Sequence, residues 1–332
     1  MKKILKVIGI FLLAIVVLIT SLGIFAYFSA YPTSMLIRKL FEGGIAVEPT
    51  NYAEIVEKVD ITLDLSYDST EKSNTFDLIK PKNATGKEPL IIWVHGGAFV
   101  GGDKQDVLEY AVQIAAEGFA VASMNYRLAP EATFPSPLNQ LGEMYQYIIG
   151  NEKTLGVSAD TLILAGDSAG AHIVSQFVMV QNDPAYANQL NLSPVMEKGN
   201  VAGMVLLCGP YDLQGLATMM GDSWIMNFFA ERLAWAYLGD KTWRTNGMLD
   251  KMSIIPHVTK DFPTSFISDG NKGTFTEDGM ALRDRLRELG VPVTDAFYDI
   301  SVEELQHEYQ FKMDLESSQK TMTKLIAFLK GI

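Results

Sequence analysis

The strongest hydrophobic pattern in the chain is an almost unbroken apolar run from Val7 to Tyr31, which directly follows three lysines. The run has about 25 residues, and roughly 20 apolar residues are enough to cross a bilayer as a helix. A cleavable signal normally has a shorter apolar region and a clear small-x-small site, which residues 28–30 do not provide. We therefore expect residues 1–31 to form a retained membrane anchor.

The charges on either side of this run predict its orientation. Three lysines precede it, whereas only Arg38 and Lys39 follow it closely. The positive-inside rule therefore favours an amino terminus in the cytoplasm and a folded domain outside it. Residues 32–55 form a juxtamembrane segment, in which residues 34–41 have an amphipathic pattern that we expect to rest on the membrane interface.

Beyond the juxtamembrane segment, two periodicities alternate along the chain. Apolar and polar residues alternate over 56–67 and 75–79, which predicts two paired strands. Further strands are predicted at 90–94, 119–124, 161–166, 201–207, 264–268 and 293–300, with helices near 105–117 and 137–149 and from about 315. Strands that alternate with helices predict an α/β fold with a mostly parallel sheet.

Composition limits the number of domains and the classes of partner. The chain has 332 residues, of which 48% are hydrophobic, so residues 56–332 suffice for one large domain. The single cysteine, Cys208, lies in an apolar strand and is expected to be a small core residue, and no intramolecular disulfide is possible. The net charge of −12 is spread without a basic stripe, which argues against nucleic acid as a partner.

A short motif at residues 166–170, Gly-Asp-Ser-Ala-Gly, joins an apolar run to a segment of helical periodicity. This arrangement is typical of a nucleophile elbow, in which a sharp strand-to-helix turn projects a serine hydroxyl above a parallel sheet. Glycines two residues on either side of Ser168 leave room for the strained backbone. The sequence therefore predicts that Ser168 is a nucleophile.

A second motif, His95-Gly96-Gly97, follows the apolar strand at 90–94. Backbone N–H groups in such a segment can turn toward a reacting carbonyl and stabilise the negative charge that develops on its oxygen. We therefore expect Gly96, Gly97 and Ala169 to supply the N–H donors of an oxyanion hole, each worth on the order of 3 kcal/mol in the transition state.

Four segments together resemble the hormone-sensitive-lipase-like branch of the α/β-hydrolases, the carboxylesterase and lipase relatives. They are HGGAFVGGDK from His95, NYRLAPEATFP from Asn125, AGDSAGAH from Ala165 and LQHEYQF from Leu305. The resemblance covers residues 85–330. It implies an eight-stranded α/β-hydrolase fold, a triad in the chain order Ser, Asp or Glu, His, and hydrolysis of ester bonds. It also places a Met- and Trp-rich insertion, about residues 211–260, over the active site as a lid or as a wall of the acyl pocket.

The resemblance helps to assign the four histidines. His307 follows the last predicted strand and precedes the C-terminal helix, where this fold delivers its general base. His95 is expected to shape the oxyanion loop, and His172 to pack one helical turn beyond Ser168. His257 follows Pro256 in a loop and is expected to be solvated or to cap a helix.

The acid of the triad is where the sequence departs from its relatives. They usually have Gly-x-x-Asp-Pro-Leu after strand seven, and Gly273 occupies the position of that Asp here. Asp269, at the end of the strand, is the nearest carboxylate and our choice to orient His307. Glu277 and Asp278 remain alternatives if the loop folds back.

These observations predict a serine hydrolase that cleaves small or medium acyl esters through an acyl-enzyme, with Ser168, Asp269 and His307 as its triad. No metal-ligand cluster or P-loop is evident in the sequence, so no metal or cofactor is expected. Three alternatives remain open: a deacetylase of cell-envelope glycans, an amide hydrolase on the same fold, and an inactive binding protein. The substrate and the oligomeric state are not readable from the sequence.

Overall fold

An eight-stranded sheet forms the centre of the molecule. The computed structural model describes residues 2–214 and 224–332, so part of the predicted lid, 215–223, lies outside the described residues. The strands are β1 (Val59–Ser66), β2 (Thr75–Pro81), β3 (Leu90–Val94), β4 (Ala120–Met124), β5 (Leu162–Asp167), β6 (Val201–Leu207), β7 (Ser265–Ser268) and β8 (Val293–Ala296).

The strand order in the sheet is β1-β2-β4-β3-β5-β6-β7-β8. β1 and β2 pair antiparallel, β2 pairs antiparallel with β4, and every later pair is parallel. The carboxyl ends of β3, β5, β6 and β7 therefore lie side by side at one edge of the sheet. This order and the flanking helices form the α/β-hydrolase fold that the sequence predicted.

Eleven α-helices are described in the ranges that the structure covers. They are α1 (Lys2–Phe28), α2 (Tyr31–Leu40), α3 (Tyr52–Val56), α4 (Leu108–Ala115), α5 (Ser136–Leu155), α6 (Ala169–Asn182), α7 (Pro184–Gln189), α8 (Trp224–Leu238), α9 (Met248–Met252), α10 (Thr276–Glu288) and α11 (Glu316–Leu329). Helices cover both faces of the sheet, as a parallel sheet requires. We refer to α8 as the lid helix.

The core divides into two layers because side chains alternate between the faces of each strand. In β3, Ile92 packs with α5 and α6, whereas Trp93 packs with α4 and the carboxyl-terminal part of the chain. Every residue of β3 and β5 is buried. Each large apolar side chain buried in this way contributes about 1.5–3 kcal/mol relative to an exposed one.

The helix expected to end at residue 149 runs on to Leu155, and two strand boundaries also differ from those expected. The predicted first strand begins three residues late, because the residues before it form the short helix α3. The last strand ends at Ala296 instead of residue 300, since the chain turns at Asp299, whose carboxylate accepts the N–H of Ser301. Both errors arise where a local hydrogen-bonded turn competes with strand periodicity.

The amino-terminal helix α1 stands apart from the sheet. Its segment Lys3–Phe28 has 26 residues, is long and apolar enough to cross a membrane, and is not buried by the rest of the chain. These properties fit a single-pass membrane anchor or a signal sequence.

The helix that follows, α2, packs on the domain that contains the sheet with one face and exposes the other. Ser34 and Ile37 are buried, whereas Leu36 and Leu40 are exposed. Arg38 fixes the helix, because its guanidinium donates to the carbonyl oxygen of Val100 at 2.6 Å and pairs with Glu131 at 2.7 Å. Only the exposed face of this amphipathic segment is therefore free to meet a membrane interface.

Candidate active site

Ser168 lies on a strained turn between β5 and α6. Its φ of 50° and ψ of −118° are a conformation that residues with a side chain rarely adopt. The two glycines of the motif permit the turn: a Cβ on Gly166 would lie 2.5 Å from the carbonyl carbon of Gly170, and a Cβ on Gly170 would overlap the carbonyl oxygen of Val94. The N–H of Ser168 donates to Leu207 of the neighbouring strand at 2.7 Å, which holds the turn in place.

His307 reaches Ser168 from the loop between β8 and a 3₁₀ helix at Tyr309–Phe311. Its Nε2 lies 3.0 Å from Oγ of Ser168. The next residue, Glu308, has a φ of 58°, so the chain turns sharply directly after His307. Burial lowers the pKa of His307 to about 4, so the ring is neutral at neutral pH.

Asp269 does not contact His307 directly. The hydroxyl of Thr274 lies between them: it donates to Oδ1 of Asp269, and its oxygen lies 2.7 Å from Nδ1 of His307. A hydroxyl has a single proton, so a Thr274 that donates to Asp269 must accept from Nδ1–H. Nε2 is then unprotonated and faces the hydroxyl of Ser168, which is the tautomer that a general base requires.

The two other carboxylates considered for this role are engaged elsewhere. Glu277 is exposed in the first turn of α10. Asp278 accepts the backbone N–H groups of Tyr211 and Asp212, each at 2.9 Å, and so fixes the loop after β6. Among the described acidic residues, Asp269 is the one that Thr274 links to His307.

The surroundings of Asp269 destabilise its charged form. The side chain is buried, and within the described chain its Oδ2 has no hydrogen-bond donor. Burial raises the pKa of Asp269 to about 6, although the N–H of Gly270 and the hydroxyl of Thr274 partly offset this by donating to Oδ1. The carboxylate is therefore ionised above about pH 6.

Cys208 is part of this site, which the sequence did not indicate. The residue follows β6 with a φ of 54°, and its thiol donates to Oε1 of Gln310 at 3.1 Å. Ligand atoms of Cys208, Asp269 and His307 all lie within 4.8 Å of one another. Such a trio has metal-ligating chemistry, but His307 is held here between Ser168 and Thr274. A signal was present, because β6 and β7 are neighbours and Cys208 and Asp269 follow their last residues.

The predicted oxyanion hole needs one correction. The N–H of Gly96 donates to Oδ2 of Asp167 at 2.8 Å, so it is already engaged. The next two N–H groups, of Gly97 and Ala98, have no acceptor in the described ranges. Gly97 and Ala98 both have positive φ, 105° and 51°, so the backbone changes direction directly after Gly96. The N–H of Ala169 is likewise without an acceptor among the described residues, at the start of α6.

The carboxyl group of Asp167 holds the loop at Gly96 and is itself paired with a second carboxyl group. Asp167 accepts the indole N–H of Trp93 at 2.7 Å in addition to the N–H of Gly96. Its other partner is the carboxyl group of Glu308, and burial together with mutual repulsion raises the pKa of Glu308 well above its usual value. Two buried carboxyls in contact share one proton. Oε1 of Glu308 also lies 3.7 Å from Nε2 of His307.

The remaining histidines have structural surroundings. His95 is buried, its ring stacks on Tyr126 with centroids 4.6 Å apart, and its Nδ1 lies 2.7 Å from the carbonyl oxygen of Gly96. His172 is buried one turn beyond Ser168, and its Nδ1 lies 2.9 Å from the carbonyl oxygen of Pro210. His257 is partly exposed, near the carbonyl oxygen of Asp250 at 3.0 Å.

Comparisons with known proteins agree with this fold. The BD-FAE family matches residues 76–278. A kynurenine formamidase of Drosophila melanogaster is 28% identical over 200 residues, which are 58% of this chain and 62% of the relative. An esterase of Gibberella moniliformis is 29% identical over 211 residues, 61% of this chain and 62% of the relative. The match thus spans less than two thirds of these relatives.

Solved structures resemble the chain over more of its length. Esterase B from Lactobacillus rhamnosis superposes with a TM-score of 0.71 at 20% identity, over 91% of this chain and 91% of that one. A bacterial heroin esterase superposes with a TM-score of 0.66 at 22% identity, over 84% and 87% of the two chains. At these identities the likeness shows the fold.

Proposed function

Because this chain belongs to the BD-FAE family and has the α/β-hydrolase fold, we propose that it is a serine hydrolase that cleaves carboxylic ester bonds. The observation that carries the proposal is the 3.0 Å contact between Oγ of Ser168 and Nε2 of His307 at a strained strand-to-helix turn. A serine and a histidine in this contact, with the histidine held from behind, form the apparatus of covalent acyl transfer.

In the first step of the proposed reaction, Nε2 of His307 removes the proton of Ser168 as Oγ attacks the ester carbonyl carbon. The resulting imidazolium is stabilised by the chain of hydrogen bonds through Thr274 to Asp269. The N–H groups of Gly97, Ala98 and Ala169 are our candidates to stabilise the tetrahedral oxyanion. Breaking the ester C–O bond transfers the Nε2 proton to the leaving alcohol and leaves an acyl group on Ser168.

In the second step, water replaces the alcohol. His307 removes a proton from this water, which attacks the acyl carbon, and the proton then returns to Oγ of Ser168 as the acid leaves. Ester hydrolysis by this route needs a nucleophile, a base and oxyanion donors, all of which this chain can provide from its own residues.

We further propose that residues 1–31 are a retained anchor and that residues 56–332 form a hydrolase domain outside the cytoplasm. The apolar helix Lys3–Phe28 supports the anchor. The lysines before it support the orientation. The packing of α2 on the domain supports a short, fixed connection between the two.

A second candidate activity is hydrolysis of an amide. The relative named kynurenine formamidase favours it, because the same nucleophile and base can attack a formamide carbonyl. An amide differs from an ester in its leaving group, which is a poorer one and needs protonation before it departs. Activity on an aromatic formamide beyond that on esters would favour this candidate.

The proposed function is tested on the full chain in detergent micelles with a fluorophosphonate probe, which labels activated serines, and a series of nitrophenyl esters. We expect labelling at Ser168, turnover of the esters, and an acyl-length optimum. Folded protein that neither binds the probe nor turns over any ester or formamide would contradict the proposal and favour a binding role.

The pH dependence of ester hydrolysis should reflect the protonation of Asp269. When Asp269 is protonated it can donate to Thr274, which then donates to Nδ1 of His307 and leaves the proton on Nε2, the unproductive tautomer. Asp269 has a pKa of about 6 and His307 a pKa of about 4. We therefore expect kcat/KM to be maximal above about pH 7 and to fall as the pH drops through about 6. An acid limb centred near pH 4 would assign it to His307 instead.

Thr274 provides a second test of the hydrogen-bond chain. Thr274→Val keeps the shape of the side chain but removes both hydrogen bonds, so we expect kcat to fall on the order of 10²-fold with little change in KM. Thr274→Ser should retain most activity. The matched control is Thr276→Val, since the hydroxyl of Thr276 donates to the carbonyl oxygen of Gly270 and lies outside the chain to His307. Equal activity of Thr274→Val and wild type would show that Thr274 does not connect Asp269 to His307.

A further inference from the structure

The loop and the lid helix beside the candidate active site pack against α2, the helix that follows the apolar helix α1. Ile37 of α2, Val100 of the loop after β3 and Tyr237 of the lid helix belong to one buried apolar cluster. The ring of Phe99 in the same loop stacks on Tyr237 with centroids 3.9 Å apart and meets His172 edge-on at 5.9 Å. We call α2, the loop 97–102 and the lid helix together the cap.

The lid helix and Lys241, three residues after its end, also contact the end of the apolar helix. The carbonyl oxygen of Tyr27 accepts from Arg232 at 3.5 Å and from Lys241 at 3.4 Å. The ammonium group of Lys241 lies 4.3 Å from the ring centroid of Tyr27, within the range of a cation–π interaction. The first residue of α2, Tyr31, comes three positions after the end of the apolar helix at Phe28, so the cap begins directly beside the span.

The outer surface of the cap carries large apolar side chains that nothing in the described chain covers. Trp224 is 76% exposed and Phe228, one turn along the lid helix, is 36% exposed. Leu40 at the end of α2 is 73% exposed. The guanidinium of Arg232 lies 4.9 Å from the ring centroid of Phe228. Aromatic side chains beside cations are the combination found at the interface between lipid headgroups and acyl chains.

We propose that the cap rests on the surface of the bilayer through Trp224 and Phe228, and that the substrate is an ester carried in that bilayer. The second half of this inference rests on the proposed hydrolase function. The span fixes the cap beside the headgroups, where Arg232 and Lys241 complement lipid phosphates. The net charge of −12 opposes any general adhesion to anionic lipid, so contact is confined to the cap.

An acyl ester in the membrane would then reach Ser168 without crossing water. Its apolar chains would stay in the bilayer, and its carbonyl group would enter beside Phe99 and His172. The acyl chains would not have to pass from the bilayer into water, and that transfer is the unfavourable step when a lipid leaves a membrane. A small water-soluble ester would gain nothing from this arrangement.

The first measurement places the full-length protein in vesicles of phosphatidylcholine and phosphatidylglycerol whose acyl chains carry bromine. Bromine quenches tryptophan fluorescence at short range, so we expect quenching in wild type that is largely lost in Trp224→Phe. Equal quenching of wild type and Trp224→Phe would overturn docking through this residue. Quenching abolished by raising the protein concentration at constant lipid would instead indicate that a second copy covers the patch, and would also overturn the proposal.

The second measurement compares two substrates in the same vesicles: a fluorogenic diacylglycerol in the bilayer and nitrophenyl acetate in water. The variant Trp224→Glu/Phe228→Glu should lower turnover of the diacylglycerol about ten-fold, because two apolar contacts with lipid are lost. Turnover of nitrophenyl acetate should stay within about two-fold, because neither residue belongs to the catalytic network. An equal effect on both substrates would overturn the inference.

The matched control is Ile149→Glu. Ile149 is exposed near the end of α5, which runs from the carboxyl edge of β4 to the amino edge of β5, so it lies at the end of the sheet opposite the cap. It should leave the ratio of the two activities unchanged. Wild type that is quenched by bromolipid but hydrolyses neither ester would refute the proposed function and the substrate, while leaving the docking of the cap supported.

Discussion

Ser168→Ala is expected to lower kcat/KM for nitrophenyl esters by about 10⁴-fold to 10⁶-fold, because the proposed reaction has no other nucleophile. His307→Ala should cause a loss of similar size. The double variant should have about the same kcat/KM as either single variant, since the serine and its base act as a unit and removal of either one already stops the reaction. Steady-state kinetics of the three variants beside wild type measures all of these effects.

The matched control for this series is Ser175→Ala. Ser175 lies two turns further along α6, is buried, and donates its hydroxyl to the carbonyl oxygen of Ala171 at 2.7 Å. It tests whether removal of any hydroxyl from this helix lowers activity through packing. The assignment of the nucleophile fails if Ser168→Ala keeps activity within ten-fold of wild type, or if Ser175→Ala loses as much.

Asp269→Asn is expected to lower kcat by about 10³-fold to 10⁴-fold and at the same time to raise the stability of the fold. The amide keeps the acceptor oxygen that receives the N–H of Gly270 and the hydroxyl of Thr274. It lacks the charge that would stabilise an imidazolium at His307 through Thr274. The loss should therefore fall on the chemical step.

The gain in stability follows from the raised pKa of Asp269. This pKa rises from 3.8 to about 6 on burial, and each pKa unit corresponds to about 1.4 kcal/mol. Below pH 3.8 the group is protonated in the folded and unfolded chains alike, so the two proteins should be equally stable there. The cost begins when the carboxyl group ionises in the unfolded chain, so it grows between about pH 3.8 and pH 6 and levels off at about 3 kcal/mol above pH 6, where the buried carboxylate is charged in the folded chain as well.

Thermal unfolding of the full chain in micelles at pH 4 and pH 8 measures this difference. The variant should unfold at a higher temperature than wild type at pH 8, and the gap should close at pH 4. Asp299→Asn is the control, because that carboxylate is exposed and its pKa is lowered by hydrogen bonds to Ser301. A variant that is less stable than wild type at pH 8 would mean that Asp269 stabilises the fold as a charged group.

Much of the architecture was readable from the sequence because it depends on local pattern. The β5 run and the glycines around Ser168 predict the turn without reference to the rest of the chain. The position of His307 after the last strand could be assigned from chain order. In both cases the fold class limits where a residue can lie, and the structure brings the two side chains into contact.

The details of the site depend on hydrogen bonds that periodicity does not encode. The N–H of Gly96 was expected to be free, but Asp167 lies close enough to accept it. Thr274 stands one residue after the position where relatives have their acid, and its hydroxyl fills the space that a direct contact between Asp269 and His307 would need. A hydroxyl at that position was the signal that an intervening residue was possible.

The lid was the least predictable element. The Met- and Trp-rich pattern indicated a helical insertion, and the lid helix at Trp224–Leu238 agrees with this. Which of its faces is covered depends on α2, whose own amphipathic pattern predicted a membrane contact. The sequence does not distinguish two amphipathic segments that pack on each other from two that each face lipid, because both arrangements need the same apolar stripe.

Under the proposed topology, the packing of α2 decides which proteolytic cut would release an intact domain from the membrane. A protease that cuts the short link between Phe28 and Tyr31 would release a domain that still includes α2. Cleavage after Leu40 would instead leave that helix with the anchor. The released fragment would then lack the hydrogen bonds that Arg38 donates to the carbonyl oxygens of Val100 and Ala129. The loop beside Ser168 would lose the support that these bonds give.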